Sequence, residues 1–461
     1  MVFAILAVMD KHKDQKFRLI CKEAAAQLRR LHIPGAAVGI SLNGKDYCAG
    51  FGVTSAENPL PVTEDTLFQI GSISKTFLAT AAVMLVESGK LELDAPVRKY
   101  LPELKLSDEN AAGRVTMKHL LTHTCGWFGD YFDDFGDGDD ALSKMVAAMA
   151  ALPQYAPPGE LFSYSNSGFY LAGRVIEAVA GKSYEAVIKE MIFDPLGMKM
   201  SFFFPKDMMT YRFVVGHEIR KGHATIARPW AMARAENPAG AIACSLKDLL
   251  RYARFQISGK TSDGKRLLSE KSLKLLHSPV CPAFGGKKVA LSWFVSEKDG
   301  RTLLWHGGTT NGQIADLTII PSEKFAFAAL SNADYGRYLH SETEKVTLKN
   351  YFGIDSPSPK PLKLPKEKLE QYAGRYSHQA ADYDLKPQAG GLLIRITDKG
   401  GFPTPKDKPK HQPPPMRAAF YAEDKIIALN VPYKNGLGEF LRCRDGKIAW
   451  LRFSRALKRA G

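Results

Sequence analysis

Ser72 and Lys75 stand three residues apart in the run Phe68-Gln69-Ile70-Gly71-Ser72-Ile73-Ser74-Lys75-Thr76-Phe77, and that spacing can make a nucleophile. Residues three apart on a helix share a face, so the Lys75 amine reaches the Ser72 hydroxyl. A helix N-terminus adds positive potential where an oxyanion would develop. Serine is inert at its own pKa, and a lysine takes its proton once desolvation and nearby positive charge depress the lysine pKa. A second Ser-x-x-Lys, Ser262-Asp263-Gly264-Lys265, reads as a turn, because Asp-Gly is hairpin chemistry. Ser72 instead lies between an apolar strand-like run and a helix expected over residues 75–87.

Two further clusters carry polar groups at element ends. Phe162-Ser163-Tyr164-Ser165-Asn166-Ser167 follows Pro157-Pro158-Gly159 and precedes a helix; Trp305-His306-Gly307-Gly308-Thr309-Thr310-Asn311-Gly312 ends a strand. Alone, the first is a helix cap and the second a tight turn. His119 and His123 have the spacing of zinc ligands on a helix, but no glutamate lies between them and no third ligand is evident, so a structural pair is expected. Cys125, beside Thr122-His123-Thr124, reads as a small buried hydrophobe, with a reactive thiol as the alternative. Asp130, Asp133, Asp134, Asp137, Asp139 and Asp140 read as a solvated loop capping the helix from Ala141, with a cleft rim that attracts amines as the alternative; a calcium loop lacks its closing glutamate. No Gly-x-Ser-x-Gly elbow appears, which argues against an α/β-hydrolase.

The elements that must hold these groups begin with a helix over residues 16–31 and strands over 36–42 and 46–53, joined by an Asn43-Gly44 turn. Helices follow over 117–122, 141–151, 167–180, 183–192, 246–255 and 271–277. Strand patterns return at 291–295, 303–306, 314–320 and 325–330, with a short helix at 347–352. Strands at both ends imply an antiparallel sheet whose first and last strands meet, carrying an inserted helical subdomain, with the cleft between them as the ligand site. Asp355-Ser356-Pro357-Ser358-Pro359-Lys360-Pro361 reads as a linker. Six short strands after it, near 374–376, 392–396, 417–422, 425–429, 438–441 and 448–453, with a surface loop over 400–415, suggest a small β-barrel. The expected organisation is a catalytic domain over 1–353, a Pro-rich linker over 354–366 and a lipocalin-like barrel over 367–461.

The 461 residues suffice for two domains, and 45% apolar with 24% charged residues is ordinary for a globular protein. Met1 to Met9 are apolar but lack a basic leader and a small-residue cleavage site, and nine residues cannot span a bilayer; a docking segment or first helix is expected there. Six scattered cysteines without a Cys-x-x-Cys pair fit reduced thiols in a cytoplasmic protein, an export signal lost by trimming being the alternative. Of the formal charge of +15, +11 lies from Lys360 onward, where 21 Lys and Arg face 10 Asp and Glu. No RNA-binding or zinc-finger signature accompanies it, so a solvated basic face or an inter-subunit surface of a homo-oligomer is expected, with an anionic partner as the alternative and no nucleic-acid partner.

Ser72-x-x-Lys75, Tyr164-x-Asn166 and His306-x-Gly308, in that order, resemble the three active-site motifs of the penicillin-recognising serine hydrolases: class C β-lactamases, D,D-carboxypeptidases, D-aminopeptidases and related esterases. Thr63-x-Asp65-Thr66-Leu67-Phe68, Leu93-Asp94-x-Pro96-Val97, His119-Leu120-Leu121-Thr122-His123-Thr124, Pro158-Gly159 and Pro195-Leu196-Gly197-Met198 extend the similarity over roughly residues 20 to 350. The resemblance implies an α/β (α+β) fold with a β-lactamase-like antiparallel sheet flanked by helices, a helical insertion, and here a C-terminal all-β barrel. It implies Ser72 as acylated nucleophile, Lys75 as part of the base, and Tyr164 as the group exchanging the proton with the leaving group. Asn166 would hold Lys75 and the substrate amide, and the backbone N–H groups of Ser72 and Thr309 would form the oxyanion hole. No metal or organic cofactor is implied. His306 replaces the lysine of the Lys-Thr-Gly motif, which weakens a fixed charge for a substrate carboxylate. That favours small-molecule or short-peptide amides, with D-amino-acid peptides among them. A carboxylesterase, a weak β-lactamase or penicillin-binding protein, and a non-catalytic sensor are the alternatives.

Overall fold

The computed structural model describes residues 14–409 and 411–460; the apolar segment at Met1–Met9 lies outside them. The chain forms two compact units. The first takes residues up to Glu92, Gly173–Pro279 and Ala290–Ser356; the second takes Leu93–Ala172, Val280–Val289 and Pro357–Gly461.

The first unit opens with helix α1 (Gln15–Arg30), whose first turn is capped by the Asp14 carboxylate accepting the Phe17 N–H. Strands β1 (Gly35–Leu42) and β2 (Lys45–Gly52) follow. They are joined by Asn43 and Gly44, both at positive φ, as a tight hairpin between right-twisted strands requires. Helix α2 (Ser74–Glu87) carries Lys75; α3 (Asn237–Gly240) and α4 (Leu246–Ser258) pack beside it. Strands β3 (Phe294–Lys298), β4 (Arg301–Thr310), β5 (Gln313–Ile320) and β6 (Phe325–Ser331) lead to helix α5 (Gly336–Phe352). The antiparallel order within this unit is β2-β1-β6-β5-β4-β3, so the first and last strands meet as expected, Val38 opposite Ala329. Phe17, Ile20 and Leu28 of α1 and Leu339 and Leu348 of α5 close one face over Val38, Ile40 and Phe327.

Three expectations need correction here. Helix α5 starts eleven residues before the expected position. It buries Thr343 and Thr347, whose hydroxyls donate to the carbonyls of Leu339 and Thr343, so a face that reads as polar packs like an apolar one. The strand expected at 291–295 begins only at Phe294, because Ser292 turns the chain at φ +70°. Strand β4 runs on through Gly307 and Gly308 to Thr310 rather than ending at His306. Ser262-Asp263-Gly264-Lys265 is the turn it was read as, with the Thr261 N–H donating to Lys265 O.

In the second unit a closed antiparallel barrel is built from eight strands, where six were expected: β7 (Gly374–His378), β8 (Ala381–Gln388), β9 (Gly391–Asp398), β10 (Met416–Ala422), β11 (Lys425–Ala428), β12 (Leu437–Arg442), β13 (Ile448–Arg452) and β14 (Ala456–Arg459). The unrecognised β8 alternates weakly and contains Pro387, and β14 is four residues with two basic ones, so neither shows the period-2 signal. Tyr376 opposite Arg459 closes the ring, and Tyr372, Phe420 and Phe440 fill it with ring centroids 4.6 Å apart in two pairs. No helix among the described residues is long and apolar enough to cross a membrane.

Candidate active site

Ser72 sits on a single 3-10 turn, Gly71–Ile73, that leads into α2. The turn is entered through Gly71 at φ +51°, where a Cβ would stand 2.5 Å from the Thr309 amide nitrogen. Only glycine combines that backbone conformation with so close an approach. On β4, a Cβ at Gly308 would stand 1.8 Å from Ile70 O and 3.0 Å from Ser72 N. The two glycines therefore hold the backbone at Ser72 against the backbone at Thr309. Gly307 points to the other face, where the Trp305 indole crosses it and donates to Asp316 Oδ1 at 3.1 Å. The Gly-Gly pair thus serves two packing requirements on opposite faces of one strand.

Hydrogen bonds fix the turn on either side. Gln69 N–H donates to Gln313 Oε1 (2.9 Å), Gln69 Nε2 to Trp230 O (2.8 Å), and Ile70 N–H to Ile242 O (2.9 Å). Helix α2 is tied to α4 by a buried chain in which Tyr252 donates to Thr76 (3.0 Å) and Gln256 to Thr80 (2.9 Å), with Phe77 stacked on Tyr252 at 3.7 Å.

Lys75 is fully buried. Its Nζ donates to Ser72 Oγ at 3.0 Å and to Ala239 O at 2.6 Å. Ala239 belongs to α3, whose Asn237 donates to Glu185 Oε1 at 2.6 Å, and Glu185 pairs with Arg234 at 3.3 Å. The amine is thus aimed at the serine hydroxyl by a carbonyl that is itself held by an ion pair.

His306 is buried on the Gly308 face of β4. Burial, and then the Lys75 charge, push its pKa down to about 3, against a carbonyl contact to Gly307 O (2.7 Å) that favours the cation. It is neutral at neutral pH, so the third motif contributes no fixed positive charge of its own. A histidine neutral in the fold but titrating near 6.5 when unfolded contributes stability that is complete above pH 6.5 and is lost as pH falls toward 3. We expect the unfolding free energy to drop by about 2 kcal/mol between pH 6.5 and 5 from this residue; urea melts of wild type and His306→Gln at the two pH values check it, the variant showing the shallower dependence.

Tyr164 and Asn166 lie in the second unit. The Tyr164 segment is gripped by His123, which has φ +56°. His123 O accepts the Ser163 N–H (2.9 Å), His123 Nδ1 accepts the Ser165 N–H (3.0 Å), and the imidazole stacks on the Tyr164 ring at 4.3 Å. His119 is occupied differently, accepting the Thr116 N–H in a capping box. Each of the two histidines thus holds a neighbouring backbone N–H through Nδ1. Asn166 Nδ2 donates to Asp130 Oδ1 at 3.0 Å, and the Asp130 carboxylate takes both Nε and Nη2 of Arg455 at 2.8 Å. Asp130 therefore departs from the solvated acidic loop expected for it. Burial pushes the Cys125 thiol up to about 11, consistent with an unreactive small residue.

Residues 20–350 match the family described as Beta-lactamase, and Penicillin-binding protein 4 of Amycolatopsis lactamdurans is 30% identical over 334 residues, 71% of this chain and 88% of its own length. The chain belongs to the beta-lactamase family. It is a serine hydrolase of that family related to the penicillin-binding proteins, and its fold is the family's antiparallel sheet with helices plus an eight-stranded barrel. The crystal structure of SurE with D-Leu aligns over 96% of this chain and 99% of its own at TM-score 0.73 and 22% identity. The octameric penicillin-binding protein homologue from Pyrococcus abyssi aligns over 94% and 97% at TM-score 0.60 and 26% identity. Within this beta-lactamase-family chain, Asp130, Arg455, His123 and Glu185 are the residues that motif reading did not place at the site. Asp130 and Arg455 are 325 positions apart, and no local pattern joins them.

Proposed function

We propose that this protein is a serine amidase or peptidase acting through an acyl-enzyme on small substrates, D-amino-acid amides and short peptides among them. The observation that carries the reading is the buried Lys75 amine 3.0 Å from Ser72 Oγ. In this reading Ser72 Oγ attacks the amide carbonyl and passes its proton to the Lys75 and Tyr164 pair. The developing oxyanion rests on the backbone N–H groups of Ser72 and Thr309, and Asn166 orients the substrate amide. The C–N bond then breaks as the proton returns to the leaving nitrogen, and water hydrolyses the Ser72 ester by the same groups in reverse. The neutral His306 supports substrates that need no fixed cation at the third motif. D-amino-acid chemistry is supported by the solved complex of SurE with D-Leu and by the kinship to penicillin-binding proteins. The reading is tested by comparing D-aminoacyl, L-aminoacyl and short-chain ester p-nitro substrates on wild type and Ser72→Ala. Turnover of D-aminoacyl amides that vanishes in Ser72→Ala is expected; ester turnover without amide turnover would make the protein a carboxylesterase instead.

A further inference from the structure

The Tyr164 segment lies along the last turn of the barrel, within the same compact unit. Tyr164 N–H donates to Ser454 O at 2.9 Å, and Ala456 N–H donates to Ser163 Oγ at 3.1 Å. Arg452, held by Glu439 at 3.0 Å, sends Nη1 to Phe162 O at 3.4 Å and lies 5.7 Å from the Phe162 ring centroid. Arg455 is the centre of the arrangement. Its guanidinium carbon lies 4.6 Å from the Tyr164 ring centroid, its Nε and Nη2 form the two-bonded fork to Asp130, and its Nη1 donates to Ser454 Oγ at 3.1 Å. Through Asp130 the same fork reaches the Asn166 amide.

We propose that Arg455, supplied by the barrel, is a positioning residue for Tyr164 and Asn166, and that its cation over the phenol ring favours the ionised state used in proton exchange with Ser72. The inference rests on the proposed role of Tyr164 and deepens it: the barrel is part of the catalytic machinery and not an appendage to it. A cation within about 4–6 Å of a titrating group favours its deprotonated form, and a guanidinium over an aromatic face adds the attraction of the ring quadrupole. Burial opposes the Arg455 charge, but Asp130, and after it the Tyr164 and Tyr383 phenols, hold its pKa above the usual value.

Other titratable groups of this unit near the pair are buried or paired. His378 is pushed down chiefly by burial, against Asp130, and Tyr383 is pushed up by burial, against Arg455, so burial favours the neutral form of each. His123 accepts the Ser165 N–H at Nδ1, which requires an unprotonated nitrogen there. Lys399 pairs with Asp382 at 2.6 Å, and Arg452 with Glu439. Within this unit, Arg455 and its partner Asp130 are thus the charged pair held at the Tyr164 ring, a charge separate from that of Lys75, with which Tyr164 is proposed to act.

The test is the second-order rate of fluorophosphonate labelling from pH 5 to 9 for wild type, Arg455→Met, Arg455→Lys and Arg455→Met/Asp130→Asn. Removing the cation raises the pKa of the group that must be deprotonated, so the acid limb of Arg455→Met is expected to move up by about one pH unit. The double variant, which removes the opposite charge as well, should move by less than half as much. It also keeps the test valid if the lone Asp130 prevents Arg455→Met from folding. Arg455→Lys should keep the limb near its wild-type position while labelling more slowly at the plateau, since lysine keeps the charge but not the fork. Acid limbs that coincide in all folded variants, with only melting temperatures changed, would reduce Arg455 to a structural strut and overturn the inference while leaving Ser72 labelled. No adduct on wild type at any pH would overturn the proposed function and this inference with it.

Discussion

Lys75→Met is expected to lower amide turnover and fluorophosphonate labelling together, by roughly 10³- to 10⁴-fold, the upper range for losing a general base. Methionine fills a similar volume, so the fully buried site stays packed, and the loss is of the amine 3.0 Å from Ser72 Oγ. The Ala239 carbonyl, which accepts the amine at 2.6 Å, is left without that donor, and a buried unsatisfied acceptor costs about 1–3 kcal/mol. A thermal melt should therefore fall modestly while the labelling rate falls by orders of magnitude. A variant that labels within tenfold of wild type would remove Lys75 from the base.

The second large effect is Gly308→Ala. The new Cβ would sit 1.8 Å from Ile70 O and 3.0 Å from Ser72 N, atoms of backbone rather than flexible side-chain ends, so β4 and the serine turn must separate. Misaligning one oxyanion donor costs about 10²- to 10³-fold in rate, and that loss is expected in both acylation and labelling. Gly307→Ala is the control on the opposite face: its Cβ would meet the Trp305 ring at 2.9 Å and Asp316 Oδ1 at 3.0 Å. It should lower the melting temperature, because the Trp305-to-Asp316 bond is disturbed, while leaving the labelling rate within a few-fold. Equal rate losses in both variants would mean that strand integrity, and not the contact at Ser72, is what the glycines protect.

The contrast between those neighbours marks what a sequence can reveal here. Ser72 and Lys75 are legible because three residues of one turn set their geometry, and Tyr164 and His306 because motifs keep their order along the chain. The hairpin at Asn43-Gly44 and the Ser262-Lys265 turn are legible for the same local reason. The reason for Gly71 and Gly308 is not local: each is required by a backbone more than two hundred residues away. Asp130 reads as one carboxylate among six in a loop, and only its contact with Arg455 and Asn166 takes it out of that set. Arg455 itself reads as one of many basic residues in the C-terminal region. Helix α5 and strands β8 and β14 leave no clear period in the sequence: α5 buries hydroxyls bonded to its own backbone, β8 alternates weakly and contains Pro387, and β14 is four residues long.

The central claim, that Ser72 is an activated nucleophile, is tested most directly by intact mass spectra of wild type and Ser72→Ala after exposure to a fluorophosphonate and, separately, to a penicillin. A single phosphonate adduct on wild type and none on Ser72→Ala is the predicted result; a persistent penicilloyl adduct in addition would move the substrate reading toward penicillin-binding chemistry. No adduct on wild type, or an adduct that survives in Ser72→Ala, would contradict the account.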